Sequence, residues 1–269
     1  MTDRELYLDL LKHCLTGYLY PDSSNQEVHP ERRMSLLKRR LVGGLNRRGY
    51  RLYRTVPFDR EARELGKDWP SIGYSMVGLR RLDNLQACIE SVLNERVPGD
   101  LLEAGVWRGG SCIFMRAILK LQEVTDRNVW LADSFQGLPA PSLEADRTYD
   151  LSAIPVLAVS QAEVEAAFAR FGLLDSQVKF LKGWFKDTLP SAPVSQLAIL
   201  RMDGDYYEST MDILNALYQK VSPGGFVIVD DYHMLPPCKQ AVHDFRSGAG
   251  IADPIQEIDG TGVFWKKSG

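Results

Sequence analysis

The sequence lacks the features that mark membrane proteins, disulfide-stabilised secreted proteins and nucleic-acid-binding proteins. Its longest apolar runs, such as Phe226 to Val229, have the length of a strand and are far too short to span a bilayer. Its four cysteines lie far apart and form no Cys-x-x-Cys pair, so we expect reduced thiols in a cytoplasmic protein. The net charge of −3 provides no positive excess, so we expect no nucleic-acid partner.

Targeting signals and repeats are also absent from the sequence. The segment from Met1 to Lys12 mixes charged and apolar residues and therefore predicts no signal peptide. What remains is an ordinary globular composition, with 45% hydrophobic and 25% charged residues over 269 positions. This length suits one core domain with an appendage, and we expect no membrane partner.

The first third of the chain predicts helices. Apolar residues at three-to-four-residue spacing, among them Leu6, Leu10 and Leu15, indicate a helix that ends near Pro21. A basic, leucine-containing segment follows near residues 30–54. It could bind a membrane surface or an anionic partner, but in an acidic protein we favour the solvated face of a lid or interface. A further helix is expected over residues 71–96, which completes an N-terminal helical cap or lid spanning residues 1–96.

Strands and helices alternate through residues 97–269. Five predicted strands end near Gly105, Asp133, Leu181, Asp203 and Asp230. Two last strands, over residues 254–258 and 262–266, are joined by a tight turn and must be antiparallel. This order predicts an α/β fold: a Rossmann-like, mostly parallel seven-stranded sheet with an antiparallel last strand, covered by helices on both faces. Such a sheet is typical of class I methyltransferases.

A glycine-rich corner follows the first strand of this sheet. It reads Glu-Ala-Gly-Val-Trp-Arg-Gly-Gly-Ser from Glu103 to Ser111, and its spacing differs from the dinucleotide pattern G-x-G-x-x-G. Gly105 and Gly110 allow a sharp turn and the close approach of a ligand. The Glu103 carboxylate would repel a pyrophosphate and attract the ammonium of an amino acid, which S-adenosylmethionine carries. The alternative is a strand-turn-helix corner without a ligand.

Two further strand ends complete a predicted cofactor site. Asp133 ends the second strand, where a carboxylate can accept both hydroxyls of a ribose, although it could instead cap a helix or a turn. Gly183 and Trp184 follow the third strand, where an adenine could stack on the indole. Together with Glu103, these positions suit a zwitterionic nucleoside without phosphate.

Four carboxylates follow the fourth and fifth strands. Their mutual repulsion predicts a hard divalent cation such as Mg²⁺, although they could also cap the helices that follow. A metal lowers the pKa of a bound hydroxyl, and a nearby carboxylate can take its proton. We therefore predict Asp203, Asp230 and Asp231 as ligands and Asp205 as base, with the roles of Asp203 and Asp205 exchangeable. His233 is either a second base or a surface residue.

Five segments of the chain resemble the macrocin O-methyltransferase family. They are LLEAGVWRGGSCIFMRAIL, VWLADSFQGLP, GWFKDTLP, LAILRMDGDYYESTMDIL and PGGFVIVDDY. The resemblance covers most of the chain, and the basic segment near residues 30–54 departs most from the family. It implies a class I fold with an N-terminal lid, S-adenosyl-L-methionine and Mg²⁺ as cofactors, and methylation of a deoxysugar hydroxyl on a glycosylated antibiotic intermediate.

The resemblance also implies roles for particular residues. Asp203, Asp230 and Asp231 correspond to the metal ligands, and Asp205 and Asp203 are the predicted catalytic residues. Met76 and Arg81, in YSMVGLRRLDNLQ, correspond to a helix that closes over the methionine part of the cofactor. The predicted cofactor contacts are Met76, Arg81, Glu103, Ala104, Gly105, Val106, Trp107, Gly110, Ser111, Asp133, Ser134, Gly183, Trp184 and Asp203.

The acceptor and the assembly stay open in the sequence. A phenol or catechol is the rival of a glycosylated small molecule as acceptor. A nucleotide-dependent oxidoreductase and a binding module with a structural metal are more distant alternatives. The missing G-x-G-x-x-G pattern argues against the first, and a cofactor motif beside the metal motif argues against the second. The apolar stripe from Leu6 to Leu19 could be a dimer contact or part of a lid. Exposed apolar stripes favour an interface, so we expect a homodimer or higher homo-oligomer.

Overall fold

The strands of the protein form a small and a large sheet. The structure is a computed structural model that describes residues 1–20, 24–27 and 35–269. In the small sheet, β1 (Ser24–Glu27) pairs antiparallel with β2 (Tyr53–Val56). The large sheet contains β3 (Asp100–Ala104), β4 (Val129–Asp133), β5 (Val178–Lys182), β6 (Leu197–Met202), β7 (Val221–Val229), β8 (Gln256–Glu257) and β9 (Val263–Lys266).

The large sheet confirms the predicted fold class. Its seven strands follow the order β5-β4-β3-β6-β7-β9-β8, and β9 runs antiparallel to both of its neighbours. The chain leaves β3 toward one edge and returns to β6 on the other side, so the ends of β3 and β6 flank the point where the strand order reverses. The register pairs Ala104 with Met202, which brings Gly105 and Asp203 together at the carboxyl edge.

Helices cover both faces of the large sheet. The described α-helices are α1 (Asp3–Thr16), α2 (Leu36–Arg47), α3 (Arg60–Glu64), α4 (Gly78–Asn94), α5 (Gly110–Leu121), α6 (Gln161–Arg170), α7 (Phe185–Thr188), α8 (Tyr207–Leu217) and α9 (Pro236–Gly248), and the core residues given below show which of them pack on the sheet. Within the described ranges, none of them has both the length and the apolar character needed to cross a bilayer.

The core has two halves because successive strand residues point to opposite faces. Leu101 and Ile199 lie in a cluster with buried residues of α1, α4, α5 and α6. Their neighbours Leu102 and Leu200 lie in a second cluster with residues of α8 and α9. The central strands are therefore buried on both sides, as a parallel sheet requires.

The N-terminal helices share this core. Leu8, Leu11 and Leu15 of α1 are buried in the same cluster as Leu101 of the sheet, whereas Leu6 is about half exposed. Part of the predicted apolar stripe thus packs within the core of the same chain. The boundary between residues 96 and 97, like the oligomeric state, stays a prediction.

Two parts of the N-terminal third differ from expectation or lie outside the described residues. The helix predicted over 71–96 begins only at Gly78, because the Tyr74 and Ser75 amides donate to the carbonyl of Leu15 at 2.6 and 3.0 Å instead of joining a helix. Met76 therefore lies in the turn before α4, not in the helix. Pro21 and residues 30–34 of the basic segment lie outside the described residues.

Candidate functional site

A cleft of about 350 Å³ opens at the carboxyl edge of the large sheet. The ends of five strands and the loop that follows β4 form its walls. The predicted site residues that line it are Met76, Arg81, Gly105, Trp107, Asp133, Ser134, Gly183, Trp184, Asp203, Asp205, Asp230 and Asp231. A smaller cavity of about 20 Å³ adds Glu103, Val106, Gly110 and Ser111. Ala104, also predicted, lies fully buried in the core instead.

The glycine corner is shaped by neighbouring backbone. A Cβ atom on Gly105, whose φ is +88°, would lie 1.8 Å from the carbonyl oxygen of Asp203. A Cβ atom on Gly110 would lie 2.4 Å from the carbonyl oxygen of Tyr74. These glycines therefore let the ends of β3 and β6, and the turn before α4, pack closely at the head of the cleft.

Trp107 occupies an unusual backbone position in this corner. Its φ of +46° lies in the left-handed region, which is uncommon for a bulky side chain. Its indole nitrogen donates to the carbonyl of Val156 at 2.8 Å, and the Arg108 guanidinium lies 4.2 Å from the ring centroid. The ring is thus held in place from both sides at the wall of the cleft.

The carboxylate of Asp133 is held by two backbone amides at the end of β4. Val106 donates to one oxygen at 2.8 Å and Phe135 to the other at 2.7 Å. Burial raises the pKa of Asp133, and these amides oppose that shift. The backbone around the end of β4 therefore fixes the orientation of this carboxylate. The Ser134 hydroxyl, by contrast, donates to Gly137 at 2.7 Å within its own turn.

Arg201 is a site residue that the sequence reasoning missed. It is 1% exposed, and its guanidinium donates to Glu103, to Asp230 and, at 3.0 Å, to Asp203. Burial raises the pKa of Glu103 to about 7, against the opposing effect of Arg201. The available signal was a charged residue within the apolar strand LAILRM, since buried arginine is rare without partners.

Arg81 connects Asp230 with two other segments. From α4 its guanidinium donates to Asp230, to Asp259 at 2.9 Å, and to the carbonyls of Leu65 and Gly66 at 3.2 and 3.1 Å. Both oxygens of Asp230 are therefore bonded to arginines, one to Arg81 and one to Arg201. Asp259, in the turn between β8 and β9, was not identified in the sequence.

Three carboxylates lie close together, and of these only Asp203 also accepts from an arginine, Arg201, at 3.0 Å. Ligand atoms of Asp203, Asp205 and Asp231 all lie within 4.8 Å of one another. This group differs from the predicted ligand set, in which Asp230 stood in place of Asp205. The Asp205 backbone has a φ of +60°, a left-handed position that aspartate tolerates better than most residues and that often marks functional sites.

Burial and mutual repulsion make this group unstable as three free anions. The pKa values of Asp205 and Asp231 are raised well above their ordinary range, first by burial and then by the neighbouring carboxylates. Oδ2 of Asp231 is buried and has no hydrogen-bond partner among the described residues. A cation with oxygen ligands would satisfy that atom and offset the repulsion, so the donor set fits a divalent metal.

The outer part of the cleft contains residues without a predicted role. Trp69 and Met234 are about half exposed at its walls, and Lys186, Glu208 and Asp212 add polar groups. Nothing in their sequence context distinguished them from ordinary surface residues. His233 pairs with Glu257 at 2.7 Å and does not line the cleft, which agrees with a surface role.

Comparisons with known proteins match the chain to one protein family. The family described as Macrocin-O-methyltransferase (TylF) matches residues 4–267. One relative is 52% identical over 267 residues, 98% of this chain and 93% of its own: the 8-demethyl-8-(2,3-dimethoxy-alpha-L-rhamnosyl)-tetracenomycin-C 4'-O-methyltransferase of Streptomyces olivaceus. The mycinamicin III 3''-O-methyltransferase of Micromonospora griseorubida is 47% identical, with 99% of this chain and 98% of the relative covered.

Solved structures show the same fold. The O-methyltransferase NovP superposes with a TM-score of 0.85 and 47% identity, over 99% of this chain and 100% of that one. The calicheamicin methyltransferase CalS11, at 18% identity and a TM-score of 0.58 over 99% of this chain and 93% of its own, shares the fold alone.

Proposed function

Since the chain belongs to the macrocin O-methyltransferase (TylF) family and is an O-methyltransferase, we propose that it methylates a deoxysugar hydroxyl on a glycosylated natural product. S-adenosylmethionine would be the methyl donor and Mg²⁺ the second cofactor. The observation that carries the proposal is the group of Asp203, Asp205 and Asp231 in the same cleft as the glycine corner and Asp133.

The donor would lie along the ends of β3 to β5. The ammonium of the amino-acid part would point into the small cavity, which includes Met76, Glu103 and Ser111 and has room for one small polar group, with the Glu103 carboxylate facing it. Asp133, already oriented by two amides, would accept the ribose hydroxyls, and Trp184 would offer its ring to the adenine. This placement directs the sulfonium toward the carboxylates at the ends of β6 and β7.

We propose that Asp203 and Asp231 hold the cation, because they belong both to the predicted ligand set and to the observed group. Asp230, the third predicted ligand, would have to exchange an arginine contact for the ion. When bound, the cation lowers the pKa of the acceptor hydroxyl. Asp205 then takes the hydroxyl proton on its carboxylate, and the protein holds oxygen, methyl carbon and sulfur in line.

The charge of the cleft favours a glycoside over a nucleotide sugar as acceptor. Seven carboxylates line it, against the two cations Arg81 and Lys186, and Arg81 is already bonded to carboxylates and carbonyls. A diphosphate would meet repulsion there, whereas a neutral sugar and a cationic sulfonium would not. The relatives named above act, by their names, on a rhamnosylated tetracenomycin and on mycinamicin III.

A methyl-transfer assay tests this function. Purified protein is incubated with S-adenosylmethionine and, in separate reactions, with a rhamnosylated polyketide, the matching nucleotide sugar or a catechol. Methylated products are identified by mass spectrometry. We expect methylation of the glycoside, loss of it with a chelator and recovery with added Mg²⁺. Methylation of the catechol alone, or a methylation rate that the chelator does not change, would contradict the proposal.

Substituting the carboxylates separates their roles. Asp205→Asn should reduce kcat by about 10²- to 10⁴-fold, the contribution of a positioned base, while calorimetry shows unchanged affinity for S-adenosylhomocysteine. Asp203→Asn should in addition weaken Mg²⁺ binding. Unchanged methylation rates in both variants would exclude the mechanism.

A further inference from the structure

One wall of the cleft is the long loop between β4 and α6, here named the acceptor loop (residues 134–160). Eight of its residues line the cleft, among them Leu138, Pro139, Leu151 and Leu157. Such a loop needs an anchor to present a defined surface, since its own backbone forms only short turns.

The acceptor loop is anchored on the first turn of α8. The carboxylate of Asp146 accepts from the Tyr207 amide at 2.7 Å and from the Glu208 amide at 3.2 Å. The amide of Leu151 donates to the Tyr206 hydroxyl at 2.7 Å, and the Ser142 hydroxyl donates to Glu208. The loop and the helix are thus joined at three points.

Asp146 supplies a cap that α8 lacks. The residue at the N-cap position, Tyr206, makes no side-chain cap bond, so the first amides of α8 need an acceptor from elsewhere. Asp146 is fully buried and lies 61 residues earlier in the chain. It directly precedes a short 3₁₀ turn but does not cap that turn, and its negative charge suits the N-terminus of α8 instead.

The capped turn also carries the carboxylate chemistry. Asp205, with its left-handed backbone, directly precedes Tyr206, and Asp203 lies two residues further back. Whatever fixes the amides of Tyr207 and Glu208 therefore limits how the turn at Asp205 can move. One buried side chain joins the wall that faces the acceptor to the turn that holds the proposed base.

We infer that Asp146 is a positioning residue that sets the placement of the acceptor and of Asp205 together. The part that concerns Asp205 rests on the function proposed above. Asp146 does not line the cleft, so it acts through the loop and the helix and not through contact with the reactants. Donor binding should depend on it much less than turnover, because Asp133 and Gly105 are held by other contacts and the loop reaches the donor site through the Val156 bond to Trp107.

The test compares Asp146→Ala with Asp146→Asn, which keeps an oxygen for the cap. In Asp146→Ala we expect kcat to fall about tenfold or more and the acceptor KM to rise several-fold, because misplacement by about 1 Å can cost up to a hundredfold. Affinity for S-adenosylhomocysteine should change far less than kcat. Asp146→Asn should recover most of the rate. Tyr206→Phe, which loses only the Leu151 contact, should raise KM more than it lowers kcat.

Thr2→Ala is the matched control, since it removes the cap of α1, where the Glu5 amide donates to Thr2 at 3.3 Å, far from the cleft. It should show wild-type kinetics. Hydrogen exchange gives a readout without turnover: Asp146→Ala should speed exchange in residues 137–157 and 203–208 together.

Failure of the inference and failure of the proposed function give different results. Wild-type kinetics or wild-type exchange in folded Asp146→Ala would overturn the inference. An inactive wild type with coupled exchange in the variant would contradict only the proposed function. If Asp146→Ala does not fold, the test uses Asp146→Asn and Tyr206→Phe instead. Wild-type activity of Tyr206→Phe, together with an unchanged hydrogen-exchange rate in the acceptor loop, would then count against the inference.

Discussion

At the residue scale, two buried guanidiniums are shared among four carboxylates. Arg201 reaches Glu103, Asp203 and Asp230, while Arg81 reaches Asp230 and Asp259. Such buried pairs fix geometry more than they stabilise the fold, because desolvation offsets much of their attraction. Their consequence is that neither Asp205 nor Asp231 forms an ion pair with these two guanidiniums.

The binding of the donor should depend on pH through Glu103. Its pKa of about 7 means that the carboxylate is ionised above pH 7 and neutral below it. If it faces the donor ammonium, affinity is full above pH 7 and weakens by up to about tenfold for each pH unit below. Calorimetry with S-adenosylhomocysteine between pH 6 and 8 measures this; Glu103→Gln should bind weakly and show a flat profile.

The ionisation of Glu103 should affect the stability of the fold in the opposite direction to its effect on donor binding. The folded pKa of Glu103 lies above its ordinary value of 4.5, so the folded state binds this proton more tightly than the unfolded state. The contribution to the free energy of unfolding is therefore largest below pH 4.5 and is lost as the pH rises toward about 7. For the binding prediction, an affinity of the wild type for S-adenosylhomocysteine that does not change with pH would show that Glu103 does not contact the ammonium.

At the scale of elements, the site depends on how closely the ends of β3 and β6 approach. Gly105 makes that approach possible, since any side chain there would overlap the Asp203 backbone. The same contact places the glycine corner, which would hold the donor, beside Asp203, a proposed ligand of the cation. The proposed donor site and the carboxylate group thus lie at the ends of two neighbouring strands.

Gly105→Ala should therefore destabilise the fold by about 2–4 kcal/mol, from the overlap and the left-handed φ together. Gly248→Ala is the matched control, because Gly248 ends α9 with no atom within 4 Å of a new Cβ. It should be neutral or stabilise by up to about 1 kcal/mol. Urea unfolding measures both, and equal effects would show that the strand ends can separate.

At the scale of the whole molecule, the N-terminal helices and the sheet form one core. Leu15 of α1 is fully buried with residues of α4, α5 and β3, so the helical cap contributes to the stability of the catalytic part. This arrangement places the segment from α3 to α4, with Gly66, Trp69 and Met76, on the rim of the cleft.

Leu15→Ala should accordingly lower the free energy of unfolding by about 2–5 kcal/mol and shift one cooperative transition. Leu6→Ala, at a position 52% exposed on the same helix, should change it by less than about 0.5 kcal/mol. Thermal unfolding followed by both circular dichroism and tryptophan fluorescence measures this. Two separate transitions, with only the first moved by Leu15→Ala, would show an independent N-terminal unit.

Much of the fold and the position of the site followed from local patterns. Strand lengths, the glycine corner and acidic residues after successive strands are properties of short segments, and the carboxyl edge of a parallel sheet gathers whatever follows its strands. The start of α4 could not be predicted, because a carbonyl of α1 captures the amides of Tyr74 and Ser75. The role of Asp146 was equally hidden, since its partners lie 61 residues away.

The amino-acid sequence by itself determined the sheet, the family and the set of acidic residues that meet at one edge. Only the tertiary structure decided which of those acids pair with arginines and which do not. The reason is physical: the pairing of a carboxylate depends on distances of a few ångströms between segments such as α4, β6 and the β8–β9 turn. Register and packing set those distances, and no local pattern encodes them.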